Sequence, residues 1–194
     1  MESTVEAGRY RRRGAELEQA IYAAALSELA DVGYAQLTMD SVAARAGTGK
    51  AALYRRWASK QELLLAALRD SLPPLPAIDR GVSARDNLLA VFAVMSGHLA
   101  RDPSPPGLML AFQLAYDPVL RDTVVEAVIA SRLAMIQEIL RHAVDTGEVS
   151  SLEALTPMAA SAGPALIVLT FLTTGHPPTQ DDLGRIADTV LAKS

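Results

Sequence analysis

Apolar residues recur along this chain every three or four positions, and almost nowhere every second one. That period belongs to helices with one buried face, and it leaves little room for half-buried strands. Ala, Leu, Glu, Arg and Met dominate, which favours helix further. The spacing predicts an all-α protein. Leu17, Ile21, Ala25 and Leu29 stand four apart, with Ala20, Ala24 and Val32 beside them. They mark a first helix from about Gly14 to Asp31, which Gly33 is placed to end. Thr38 is a suitable N-cap for a short helix over "MDSVAARA", and Gly47 stands where that helix should stop. A second short helix follows from about Gly49 to Trp57. Ser59 to Glu62 reads as a capping box, opening a helix that ends before Pro73-Pro74. "PPLPAIDRG" reads as a stiff linker. Further helices are expected over about 83–100, over "LMLAFQLAY", from Pro118 to Gly147, from a second capping box at Ser150–Glu153, and over 180–192.

The organisation expected from this pass is a head over residues 1–60 and a larger helical body over 61–194, with the fourth helix as connector. Charge divides the same way. The first sixty residues hold nine Lys/Arg and seven Asp/Glu, and the rest hold nine and fifteen. A mildly basic head on an acidic body points to an anionic partner for the head alone. There is no cysteine, so thiolate metal sites and cysteine nucleophiles are excluded. His98, His142 and His176 lack metal-ligand spacing, so no metal and no cofactor are expected. The start "MESTVEAGRYRRRG" has no apolar stretch after its basic residues, and a cytoplasmic protein is the expectation. "LTPMAASAGPALIVLTFL" is long and uncharged, but Pro157, Gly163 and Pro164 interrupt it and no Lys/Arg cluster flanks it. It reads as a helix buried in a core or an oligomer interface, and no membrane partner is expected.

Short helix, turn at Gly47, short helix is the pattern of a helix-turn-helix. Val42, Ala43 and Ala46 supply the apolar side of the first, Leu53 and Trp57 that of the second. The spacing of Trp57 from Leu53 places it in the core rather than on a base. Lys50, Ala51, Tyr54 and Arg55 then share the outward face. One helix fits the major groove of B-DNA, small residues allow close approach, and Lys and Arg reach phosphates and guanine edges. Lys60 and Thr38 stand at neighbouring helix starts, where phosphates bind. Arg11, Arg12 and Arg13 read either as a solvated tail or as a flexible arm for phosphates or the minor groove.

"LTMDSVAARAGTGKAALYRRWASKQELLLAAL", with the helix before it, resembles the N-terminal domain of TetR-family transcriptional regulators. The matching residues are Thr38, Val42, Ala43, Ala46, Gly47, Lys50, Leu53, Tyr54, Trp57, Ser59, Lys60 and Leu63. The resemblance implies three helices for double-stranded DNA, a linking fourth helix, and a larger helical domain that binds a small-molecule effector and dimerises. It implies phosphate contacts at Tyr54, Lys60 and Thr38, and base or backbone contacts at Thr48, Lys50, Ala51 and Arg55. Two positions depart from the family pattern. Ala52 stands where a hydroxyl residue is frequent, and Gly49 where Ser is commoner, which weakens the cap of the recognition helix. "GPALIVLTFLTTGHPPTQDDLGRIADTVLAK" resembles the last two helices of such regulators, which form a four-helix bundle in the dimer. Leu166, Leu169, Thr170, Ile186 and Val190 are the interface residues this implies.

In the body, Met95, His98, Met109, Phe112, Tyr116, Met135 and Phe171 are candidate pocket residues. Met and aromatic residues at helical spacing serve equally well as plain core. Arg132 and Gln137 either orient a polar ligand or face water. The expected function is therefore a ligand-responsive repressor, acting as a homodimer on a palindromic operator. A helical adaptor is the alternative. An all-helical enzyme is disfavoured, because no catalytic constellation is visible.

Overall fold

The computed structural model describes residues 3–101, 118–125, 129–149 and 155–191. Among these the regular structure is helical: α1 Ser3–Gln36, α2 Met39–Arg45, α3 Lys50–Tyr54, α4 Lys60–Ser71, α5 Ala84–Arg101, α6 Pro118–Val124, α7 Ala130–Asp145, α8 Pro157–Thr174 and α9 Gln180–Leu191. The all-α class is as the spacing predicts. The chain divides into two compact units. One comprises α1 to α4, with α6 assigned to it; the other begins at Leu72 and holds α5, α7, α8 and α9. The break falls after Ser71, not after residue 60. The reason is packing: α4 lies along α1 and buries Leu63, Leu64, Ala67 and Leu68.

In the first unit, α1 starts eleven residues before the expected Gly14, at Ser3. No Pro interrupts Val5 to Arg13, and Glu6, Ala7 and the arginines favour extension of the helix. Near its far end Gly33 takes φ 78°, a left-handed conformation that kinks the helix before its last turn. Thr38 caps α2 as expected: its Oγ1 accepts from Ser41 N at 3.0 Å, and Ser41 Oγ accepts from Thr38 N at 3.2 Å. Gly47, at φ 65°, turns the chain into α3. Ile21, Ala25, Leu29, Leu37, Val42, Leu53 and Trp57 close a small core. The Tyr22 and Trp57 rings lie 5.6 Å apart at 59°. Arg45 fastens α2 to α1, its Nη2 lying 2.8 Å from both Glu28 and Asp31.

Tyr22 also carries a pH signature. Burial, and then donation of its hydroxyl to Glu18 at 3.0 Å, push its pKa up to about 12. The folded value lies above the unfolded one, near 10. Its contribution to stability is therefore complete below about pH 10 and lost as pH rises towards about 12. Ultraviolet absorbance titration should show Tyr22 ionising late among the five tyrosines, and Tyr22→Phe should remove that component. Ionisation of all tyrosines together near pH 10 would contradict the assignment.

The second unit packs α5, α7, α8 and α9 around Leu88, Val91, Phe92, Ile136, Ile139 and Leu140. The stretch after Pro73 is no solvated linker: Leu75 and Ile78 pack on this core. Buried Asn87 holds it by donating to Asp79 O at 2.8 Å and accepting from Asp79 N at 2.9 Å. Arg85 ties α5 to α9, with Nε 2.5 Å and Nη2 3.1 Å from the two oxygens of Asp188. The expected capping box at 150–153 lies outside the described residues. The observed cap of α8 is Thr156, whose Oγ1 accepts from Ala159 N at 3.2 Å.

Helix α8 is long and apolar enough by composition to cross a membrane. Instead Ala159, Ala160, Gly163 and Ile167 bury one side of it in the unit. Gly163 is there for closeness: a Cβ would stand 2.2 Å from Cζ of fully buried Phe92. Gly163→Ala should therefore destabilise by about 1–3 kcal/mol, as overpacked cores do. Urea unfolding followed by circular dichroism measures it; an unchanged midpoint would mean that Phe92 moves freely.

Candidate nucleic-acid interface

Helix α3 is short, and its two sides differ sharply. Leu53 and, just beyond the helix, Trp57 are buried. Lys50, Ala51, Tyr54 and Arg55 are exposed, and Ala52 is half-buried. Tyr54 keeps 48% of its surface open, high for so large a ring. Gly49 caps α3 without a side-chain hydrogen bond, so the start of the helix is as weakly capped as its residue type suggests.

The tertiary structure commits several of these groups in ways that spacing does not reveal. Lys50 Nζ lies 2.7 Å and 2.8 Å from the two oxygens of Asp40, in the first turn of α2. It also stands 5.8 Å from the centre of the Tyr54 ring. Asp40 raises the pKa of Lys50, chiefly through this hydrogen bond. Lys60 Nζ donates to Tyr34 O at 2.8 Å and Leu37 O at 3.0 Å, and lies 4.4 Å from the Tyr34 ring centre. Two of its three donors thus satisfy carbonyls left over by the kinked end of α1. Thr38 is occupied in its own capping box, and Thr48 is half-buried with its backbone N–H on Ala43 O at 3.0 Å. Among the described residues, Arg55 has no carboxylate within 4 Å. Arg12 and Arg13 lie on α1, not on an extended arm.

Asp40 was not a candidate site residue. It stands ten positions before Lys50, so no helical period links the two; only the turn at Gly47 folds one over the other. It sets a test. Asp40→Asn frees a cation beside the α3 face. The salt dependence of DNA binding should steepen by about one counterion, and sequence-blind binding should tighten. Filter binding over a salt series would read this. An unchanged slope would mean that Lys50 leaves Asp40 at no cost.

Of the pocket candidates, Met95 and His98 come together, with Leu72, Leu99, Arg132 and Ile167, around a cavity of about 130 Å³ in the second unit. Met135 instead packs against the core. Met109, Phe112 and Tyr116 lie outside the described residues. Of the interface candidates, Ile186 and Val190 are 7% and 3% exposed and belong to the unit's own core. The apolar face of α9 is already spent on α5 and α8, and its outward side carries Asp181, Arg185 and Asp188. Leu166 and Thr170 are half-buried. Leu169 is 53% exposed, and with it stand Leu172 at 51% and Met158 at 78%, both missed from the sequence. Their signal was legible: Met158, Ala165 and Leu172 are seven apart, and Leu169 is four from Ala165.

A buried three-helix core, a turn at Gly47 and an exposed cationic helix define a helix-turn-helix DNA-binding protein. Comparison with known proteins specifies it. Residues 21–67 match the family of bacterial regulatory proteins, tetR family, and residues 77–190 match the tetracyclin repressor-like C-terminal domain. An uncharacterized HTH-type transcriptional regulator of Mycobacterium bovis is 33% identical over 91% of this chain and 87% of its own. The DNA-binding transcriptional repressor TetR of Mycobacteroides abscessus is 31% identical over 92% and 94%. The crystal structure of a TetR transcription regulator from Haloarcula marismortui shares the fold, with a TM-score of 0.61 at 18% identity over 91% and 95% of the two chains. This chain belongs to the TetR family and is a DNA-binding transcriptional regulator.

Proposed function

We propose that the chain is a cytoplasmic repressor, acting as a homodimer that leaves a palindromic operator when a small molecule fills the cavity of its second unit. The exposed face of α3 carries the reading. Lys50, Tyr54 and Arg55 surround the small Ala51, so the backbone can approach base edges while cations and a hydroxyl reach phosphates. Two such faces in a dimer would meet half-sites about one helical turn, ~34–36 Å, apart. The apolar stripe Met158–Leu169–Leu172 on α8 supports self-association, because an exposed row of large apolar side chains marks an interface. The cavity supports the effector, since it is concave, mostly apolar and carries few polar groups. An effector favouring the conformer with wrongly spaced heads would oppose DNA by linkage. The reading is of a regulator rather than an enzyme.

Selection of bound duplexes from a random DNA pool, at two salt concentrations, tests it. A palindromic consensus that survives the higher salt is the expected result. Sequence-blind binding that vanishes with salt would remove the repressor reading and leave a basic surface of the adaptor kind.

A further inference from the structure

We infer that the cavity of the second unit takes a small organic monoanion: a carboxylate on an apolar body about the size of a benzene ring. The inference rests on the effector reading above and adds the class of ligand.

Three features carry it. The first is size. At about 130 Å³ the cavity is close to engineered apolar cavities that accept benzene. The second is the wall. Leu72, Met95, Leu99, Ile167 and Val168 surround the space with hydrocarbon and thioether, which rewards an apolar body and penalises a second charge. The third is Arg132. It is a half-buried residue that lines the cavity, and one of its donors, Nη2, reaches Pro73 O at 2.9 Å. Among the described residues no carboxylate lies within 4 Å of it. Burial alone lowers its pKa, with no acid pulling it back up. A cation in that position is partly desolvated, and Pro73 O is the hydrogen-bond partner that offsets this. A carboxylate entering the cavity would supply the missing counter-charge and use the donors that Pro73 leaves over. Among the described residues that line the cavity, Arg132 is the one permanent cation, with the His98 imidazole as the other polar side chain, so the first negative charge of a ligand has its match in Arg132.

The test uses the full-length protein and matched pairs of probes that differ only in charge: benzoate with benzamide, and hexanoate with hexanamide, by isothermal titration. A charge-assisted pair predicts that each acid binds about ten- to a hundredfold more tightly than its amide. Arg132→Gln should erase the difference, and Arg132→Lys should keep part of it. Because Arg132 also holds the chain at Pro73, circular dichroism and thermal melting of both variants show whether they remain folded; the lysine variant carries the test if the glutamine variant does not. Acids and amides binding equally, or no acid binding at all, would overturn the ligand class. The effector reading fails separately: it is lost if neither these probes nor a broad set of neutral small molecules alters operator binding.

Discussion

Trp57→Ala is expected to cost about 3–5 kcal/mol, the range for removing a large aromatic from a core. Trp57 is buried, and its ring lies 5.6 Å from that of Tyr22, which bridges it to α1. The backbone N–H of Trp57 also closes the turn after α3, on Leu53 O at 2.9 Å. A native protein has a total stability of about 5–15 kcal/mol, so a large share of the margin would go. Operator binding should be lost because α3 is no longer held, not because a base contact is removed. Trp57→Phe should retain most of the stability. Urea unfolding by circular dichroism separates the cases. If Trp57→Ala kept its full stability and still lost DNA, the indole would be a DNA contact and the core assignment would be wrong.

Leu169→Glu should turn a dimer into monomers. The side chain is half exposed on the same side of α8 as Met158 and Leu172, and its burial between two copies would strand a carboxylate without a partner. Two half-sites read by tethered heads gain about 10²–10⁴ in avidity, and that factor should vanish from operator affinity. Binding to a single half-site should be nearly unaffected, because α3 is untouched. Sedimentation velocity reads the mass and gel shift the affinity. A stable dimer carrying Leu169→Glu would move the interface off this stripe. Ile186 and Val190 cannot serve as the alternative surface, since both lie within the unit's own core.

Local signals in the chain were enough for much of the head. Thr38, Gly33 and Gly47 act within a few residues of themselves, so the cap, the kink and the turn stand where the residue types place them. The four-residue step from Leu53 to Trp57 likewise defines which side of α3 turns inward, and the opposite side follows by geometry. The outward face of α3 was therefore legible, and so was the all-helical class. Reading failed where a short-range cue had two outcomes. Arg11 to Arg13 read as a solvated tail or a flexible arm, and nothing in that stretch stops a helix, so α1 runs through it. Pro73 to Gly81 looked like a linker, yet it carries Leu75 and Ile78, and apolar side chains pack wherever a core lies within reach.

The sequence alone determined most of the helices, the cap at Thr38 and which side of α3 turns outward, because these depend on contacts within about two turns of chain. Tertiary structure alone decided which partner each outward group meets. It set Lys50 on Asp40, Lys60 on the carbonyls of Tyr34 and Leu37, and Arg132 beside an apolar cavity. It also spent the apolar side of α9 inside the unit, and left the Met158, Leu169 and Leu172 stripe of α8 exposed. A helical period defines a face but not what covers it, and the covering comes from residues tens of positions away.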